Sequence, residues 1–364
     1  MKHIQTISGG PGRHRLDIDI KPAAEGIMET QTETYKGINR NKRISGAVEA
    51  LGDVHLGKRF NTNVPLHRRG EREKMVWADF EASLMGATCE YHVQVGDLFD
   101  AFVVPIEVVM HAADIYIAAS MANPQVQYAV YAGNHDLSRD VNRKSSFELF
   151  QRLMRHRPNI TVITHRLRHN SVGFLPWDPF ISAAEMATSF VNEYSEGFDI
   201  IFGHWDCKSF GGDDHNLIPL EQLAGKTKLV VTGHEHNARE FDYGDIHVVV
   251  VGSMQPYSHA EDPNGEFYVT MSLGEFEAAR DGNELANRNV RVVLQDGELA
   301  PSLDSDALST TFKKETTDEV VKEVDFDPSF DLPTLLGDAL KEAGVEPVWI
   351  SRMQEKFGEM RAEV

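Results

Sequence analysis

The sequence predicts a layered α/β fold, a sandwich of sheets flanked by helices, with a small C-terminal cap and a helical tail. Short apolar, β-branched runs alternate with stretches of helical spacing between about residues 44 and 275. Most of these runs end on a glycine followed at once by Asp, Asn or His. That places polar side chains at the carboxyl ends of strands, where α/β folds bind their ligands.

Residues 1–43 are polar, contain glycine and show little periodicity, so they read as a mobile or loosely docked extension. A first strand is expected over Ile44–Leu51. Helical spacing follows at Met75, Val76, Phe80 and Leu84, then a strand over Tyr91–Val95. Residues 105–121 carry Ile106, Val109, Met110, Ala113 and Ile117 at helical intervals, and Val126–Tyr131 reads as the next strand. Phe147–Met154 reads as helix, and Thr161–Thr164 and Val172–Leu175 as strands. The same rhythm returns at Asp199–Phe202, Lys228–Val231 and Val248–Val251. After about residue 275 it stops. Strand-like Val290–Leu294, a loop rich in Asp, Ser and Thr, and helical spacing from Leu332 onward remain. The expected domains are therefore an extension (1–43), a main domain (44–275), a cap with an acidic linker (276–330) and a helical element (331–364).

Composition narrows the function classes. The 364 residues are 41% apolar and 25% charged, as in an ordinary globular protein. No apolar stretch approaches the roughly 18 residues that would span a bilayer, and the start lacks a signal peptide's apolar core. Cys89 and Cys207 form no CxxC pair, which argues against a disulfide framework or a thiolate zinc site and fits a cytoplasmic setting. The net charge of −20 argues at first against nucleic acid, but the charge is unevenly spread. Six Lys/Arg oppose two acids over Lys58–Lys74, and eight oppose two over Arg139–His169. Over Asp296–Asp331 eleven acids oppose three lysines. The two basic segments follow directly on two of the glycine-led blocks.

Those blocks are Gly52-Asp53-Val54-His55, Gly96-Asp97, Gly133-Asn134-His135-Asp136, Gly203-His204 and Gly233-His234-Glu235-His236. Two divalent cations roughly 3.5–4 Å apart need a bridging carboxylate and several neutral or anionic N/O ligands. Asp53 and His55, two apart at one strand end, can serve a single ion. Asp97 could bridge, Asn134 offers an amide oxygen, and His204, His234 and His236 offer imidazoles. This mixed donor set suits Mn²⁺, Fe²⁺ or Zn²⁺ better than an all-oxygen Ca²⁺ or Mg²⁺ site.

The order D-x-H, GD, GNHD, GH, GHxH resembles that of the calcineurin-like metallophosphoesterase family. Within it, Asp53-Val54-His55-Leu56-Gly57, Gly96-Asp97-Leu98-Phe99-Asp100, Gly203-His204-Trp205 and Val251-Gly252-Ser253-Met254-Gln255-Pro256 are most similar to the SbcD-type nuclease branch, phage recombination endonuclease subunits included. Protein phosphatases of the superfamily would show GDxxDRG and GNHE, whereas Ala101-Phe102 follow Asp100 here and Asp136 follows His135. The resemblance spans Ile44 to Leu273 and implies the metallophosphoesterase fold. It implies one ion on Asp53, His55, Asp97 and His236, and a second on Asp97, Asn134, His204 and His234. It further implies His135 as the acid that contacts the scissile phosphate, oriented by Asp100, and manganese as the leading metal.

By the same resemblance, Arg59, His67, Arg68, Arg69 and Arg72 lie on a DNA-contacting region. Helices around Met75–Leu84 and Ile106–Ile117 would form a homodimer bundle or simply cover the sheet. Leu332–Met360, with apolar Leu335, Leu336, Leu340, Trp349, Ile350 and Met353, would dock on an SbcC-like ATPase or pack within the chain. The expected activity is a manganese-dependent DNA exonuclease/endonuclease of recombination, repair or replication, in a bacterial or phage-infected cytoplasm and off the membrane. A small-molecule or cyclic-nucleotide phosphodiesterase and an architectural DNA-end binder stand as alternatives.

Overall fold

The computed structural model describes residues 4–6, 12–20, 44–140, 142–208, 214–262, 264–282, 284–301 and 305–314. The expected helical element at 331–364, its ATPase-docking face and the acidic run beyond Lys314 lie outside these residues. The first sheet comprises β1 (Ile4–Thr6), β2 (Arg13–Ile20), β3 (Ile44–Leu51), β4 (Tyr91–Gln94), β5 (Gln127–Tyr131) and β6 (Ile160–Ile163), paired in that order. β3 to β6 run parallel, and β1 and β2 extend the edge antiparallel. The second sheet has the order β11 (Arg239–Tyr243), β12 (Ile246–Val250), β10 (Leu229–Gly233), β9 (Ile200–His204), β8 (Val172–Leu175), β7 (Leu167–His169). Its four central strands are parallel and its edges antiparallel.

The continuous apolar runs are explained by burial on both faces of each central strand. One face of each sheet meets the other sheet: Val48, Ala50, Val93, Val95, Ala129 and Tyr131 pack with Phe174, Ile200, Phe202, Val231, Val249 and Val251. The opposite face of the first sheet lies under α1 (Glu71–Met85), α2 (Ile106–Ala122) and α3 (Ser146–Met154), through Phe80, Leu84, Val109, Tyr116 and Phe150. The opposite face of the second sheet lies under α4 (Ala183–Glu193), through Met186, Ala187 and Phe190. The result is a four-layer helix–sheet–sheet–helix sandwich, the layered α/β class the sequence predicts.

α3 and α4 each open on a capping box. Ser145 and Ser182 accept from the N–H groups of Glu148 and Glu185, whose carboxylates accept from the cap N–H in return.

Three features differ from expectation. Arg13–Ile20, inside the expected loose extension, is a strand in full register with Ile44–Leu51. Its period-2 pattern, Leu16, Ile18 and Ile20 between Asp17 and Asp19, is short and outweighed by the charges around it. The cap contains a third, parallel sheet of β13 (Tyr268–Ser272), β14 (Asn289–Leu294) and β15 (Ser309–Lys314), with a small apolar cluster around Phe276, Val290 and Val292. The helix α5 (Leu220–Leu223) is short, and α6 (Leu273–Asp281) crosses the expected boundary at 275. Among the described residues no helix is long and apolar enough to cross a membrane.

Candidate metal centre

The five blocks meet at the carboxyl ends of the parallel strands of both sheets. Asp53 and His55 follow β3, Asp97 follows β4, and Asn134 and His135 follow β5. His204 closes β9, and His234 and His236 follow β10. The loops are stitched together by main-chain bonds, among them His55 N–H to the Asp97 carbonyl (3.0 Å) and Met254 N–H to the Asp53 carbonyl (2.8 Å). Among the described residues six non-glycine residues have positive φ. Three are asparagines, and the others are His55, Asp97 and His234. Backbone strain of this kind gathers at functional sites, here where each loop must turn its side chain back across the strand ends.

The glycines are there because the blocks interlock. A Cβ on Gly96 would collide with the ring of His204, one on Gly133 with the carboxylate of Asp97, and one on Gly233 with the carboxylate of Asp53. These three glycines thus each clear space for the donor of a different block, while Gly52 makes room for the Gly252 carbonyl and Gly203 for the Trp205 ring.

Two donor clusters result. In the first, Nε2 of His55 and Nε2 of His236 face each other at 3.1 Å, with Oδ2 of Asp53 3.7 Å from the latter. In the second, Oδ1 of Asn134 lies 3.0 Å from Nε2 of His204 and 2.9 Å from Nδ1 of His234. Oδ2 of Asp97 lies between them, 3.9 Å from Nε2 of His55 and 3.4 Å from Nε2 of His204. Its other oxygen accepts from the His135 N–H at 2.9 Å, and the Asp53 carboxylate accepts from the His234 N–H at 3.1 Å.

The outer nitrogens decide whether these donors fit cations. Nδ1 of His204 lies 3.0 Å from the Val95 carbonyl, which can only accept, so the proton sits there and Nε2 keeps its lone pair. Nε2 of His234 meets Asp206 at 2.8 Å, and Nδ1 of His236 meets Glu261 at 3.1 Å, which likewise leaves the inward nitrogens as acceptors. The nitrogens turned inward from His204 and His234, beside the Asn134 amide oxygen, and from His236, beside His55, are thus the ones placed to bind a cation. Outer nitrogens committed in this way are how metal-binding imidazoles are held. The donor chemistry fits divalent metals. Asp53, His55 and His236 form one group able to hold an ion, and Asp97, His204 and His234 another.

The electrostatics favour positive charge here, whether as a proton or as a metal ion. Burial pushes the Asp53 carboxyl up to about 6. Burial also opposes a charged ring at His204, yet the Asp97 carboxylate overcomes it and raises that imidazole to about 9. Burial opposes ionisation of Asp97 as well, but His204 beside it brings its carboxyl below the usual range. Burial lowers His55 to about 3, so it stays a neutral donor. Such a pocket draws positive charge.

His135 sits at the mouth, its side chain 41% exposed, with Nε2 4.0 Å from Oδ2 of Asp97. Asp100 does contact it, though through its main chain: the Asp100 carbonyl accepts from Nδ1 of His135 at 2.6 Å. Asp136, in the same block, is a structural residue. It accepts from the N–H groups of Gly133, Leu98 and Phe99, and burial pushes its carboxyl up to about 8. Sequence reasoning missed Asp206 and Glu261; the one available signal was the Gly203-His204-Trp205-Asp206 run, which keeps an acid two residues after a ligand candidate.

The expected DNA contacts divide. Arg59, His67 and Arg69 are exposed. Arg68 is committed to Glu71 at 2.7 Å and to the carbonyls of Asp306 and Ala307, which ties α1 to the small sheet. Arg72 is a correction. It is buried, donates to Gln255 and to the Pro256 carbonyl, and stacks on Phe267 at 4.3 Å. An arginine between Glu71 and Glu73 reads as solvated in sequence, and only the packing of the 255–267 loop over α1 encloses it.

The sequence matches no family profile and no curated protein. Among solved structures it is similar to GAP50, the anchor in the inner membrane complex of Plasmodium, at 14% identity and TM-score 0.37, over 57% of this chain and 71% of that one. It is similar to a Staphylococcus aureus protein assigned as a 5′-nucleotidase, at 14% identity and TM-score 0.35, over 57% of this chain and 48% of that one. A third is the phosphopantetheinyl hydrolase of Mycobacterium tuberculosis, at 9% identity and TM-score 0.26, over 46% of this chain and 83% of that one.

Proposed function

We propose that the chain is a metal-dependent phosphodiesterase of the calcineurin-like metallophosphoesterase type, acting on DNA as an SbcD-like nuclease subunit beside an SbcC-like ATPase. The observation that carries the hydrolytic reading is the pair of donor clusters sharing Asp97, with His135 half-exposed beside them. Divalent cations there, manganese being well matched to the N/O donors, would supply Lewis acidity toward the phosphate and toward water. Asp53, His55, Asp97 and His236 would hold one ion, and Asp97, Asn134, His204 and His234 the other. With Nδ1–H of His135 given to the Asp100 carbonyl, Nε2 is the atom that holds or delivers a proton, and its place at the mouth suits protonation of the leaving 3′-oxygen. Exposed Arg59, His67 and Arg69 would contact DNA phosphates without reading sequence. A homodimer, a cytoplasmic setting and ATPase docking by residues 331–364 complete the proposal.

The test uses the full chain with Mn²⁺ and linear double-stranded DNA, with and without a coexpressed ATPase partner. Degradation that disappears in His135→Ala is expected, and absence of DNA cleavage under both conditions overturns the nuclease reading. A second reading, a small-molecule or cyclic-nucleotide phosphodiesterase, gains from the internal commitment of Arg68 and Arg72, which leaves fewer cations for a polymer. High turnover of cyclic nucleotides without DNA cleavage would select it.

A further inference from the structure

Besides the two ligand clusters, the described residues contain a third group with the geometry of a cation seat: His55, Asp100 and His135. Nδ1 of His55 is buried and has no hydrogen-bond partner, and it lies 3.7 Å from Oδ1 of Asp100. One member of this group, Asp100, already pairs with a cation belonging to the protein. Nζ of Lys58 lies 3.2 Å from the same Asp100 oxygen and 5.4 Å above the centre of the Tyr257 ring. Tyr257 in turn packs edge-on against both His55 and His236 and donates its hydroxyl to the Val54 carbonyl.

We infer that Lys58 is a substrate-binding residue, a fixed ammonium that takes the anionic oxygens of a phosphodiester at the mouth of the centre. Three facts carry it. Lys58 is only one-third exposed, so its charge is held rather than free to wander through solvent. Asp100 joins it to His135: the carboxylate holds Lys58 while the carbonyl of the same residue holds Nδ1 of His135, so the two side chains stand on one support. The rest of the centre carries the carboxylates of Asp53 and Asp97, which repel a phosphate. A positive group beside His135 is therefore the part of the protein able to draw that anion in. Lys58 binds through charge and hydrogen bonding and exchanges no proton in the reaction.

The inference rests on the proposed phosphodiester hydrolysis, and the experiment separates the two. Full-length Mn²⁺-loaded protein, Lys58→Ala and Lys58→Arg are compared for hydrolysis of bis-p-nitrophenyl phosphate. Binding of inorganic phosphate is measured by calorimetry, and bound metal by elemental analysis. Lys58→Ala is expected to raise KM and weaken phosphate binding by about tenfold, the loss of one charge-assisted bond. Metal content should stay at the wild-type value, kcat should change far less than KM, and Lys58→Arg should recover most of the affinity. Unchanged KM and phosphate affinity in Lys58→Ala, or a loss of metal that Lys58→Arg does not restore, would overturn it in favour of a bracing role for the Lys58–Asp100 pair. If the wild-type protein hydrolyses no phosphodiester yet binds phosphate in a Lys58-dependent way, the hydrolytic reading fails and this one stands.

Discussion

The first sheet lends the centre oxygen donors, Asp53, Asp97 and Asn134, with His55 as its one imidazole, whereas the second sheet lends imidazoles alone, His204, His234 and His236. The two sets are held by different means. Carboxylates on the first sheet are fixed by main-chain N–H groups of other blocks, from His135 to Asp97 and from His234 to Asp53. Imidazoles on the second sheet are fixed through their outer nitrogens, by the Val95 carbonyl, Asp206 and Glu261. The contrast shows that the first set is rigid because the backbone is, while His234 and His236 of the second each depend on a single side chain that can be removed.

Removing the donor common to both clusters should have the largest effect. Asp97→Asn should lower phosphodiester hydrolysis by about a thousandfold and bring bound metal from about two ions to one or fewer, read by kinetics and elemental analysis. Gly96→Ala attacks the interlock between the sheets. The new Cβ meets the His204 ring and φ is +98°, so a loss of about 3 kcal/mol in unfolding free energy is expected, measured by denaturant titration. Arg72→Ala should cost about as much, roughly 3 kcal/mol, by leaving the Pro256 carbonyl and Gln255 without their donor.

Milder changes test the second sheet's dependence on side chains. Glu261→Gln and Asp206→Asn should each weaken metal binding about ten- to a hundredfold, measured by competition with a chelator, while the fold persists. If neither moves metal affinity, the proposed difference between the sheets collapses. The smallest effect is expected at the rim. Arg59→Ala should alter stability by less than about 0.5 kcal/mol and reduce the salt dependence of DNA affinity by about one unit of log–log slope.

Much of this centre was legible because both faces of the central strands are buried. Runs such as Tyr128–Ala132 then stand out as unbroken apolar stretches, and the glycine after each marks where the strand gives way to a donor. Gly96, Gly133 and Gly233 signalled more than punctuation, since each clears space for a donor from another block, and that relation becomes visible only when the blocks are brought together. Glu261 could not be read from sequence because its partner, His236, is 25 residues away, on a loop its own neighbours do not predict. Arg72 failed for the complementary reason: its surroundings along the chain are charged and its surroundings in space are aromatic. The resemblance implies that Asp100 orients His135, and the contact runs through the Asp100 carbonyl, a detail residue identity cannot carry.

The two stacked sheets are consecutive in the chain, the first complete at Ile163 and the second beginning at Leu167. A ribosome therefore finishes every oxygen donor before it makes any of the second sheet's histidines. The nascent first half must keep Val48, Val93, Ala129 and Tyr131 covered, by chaperone or by transient collapse, until Val172–Val251 arrives to stack on them. Both donor clusters therefore stay incomplete until the second sheet's histidines have been made.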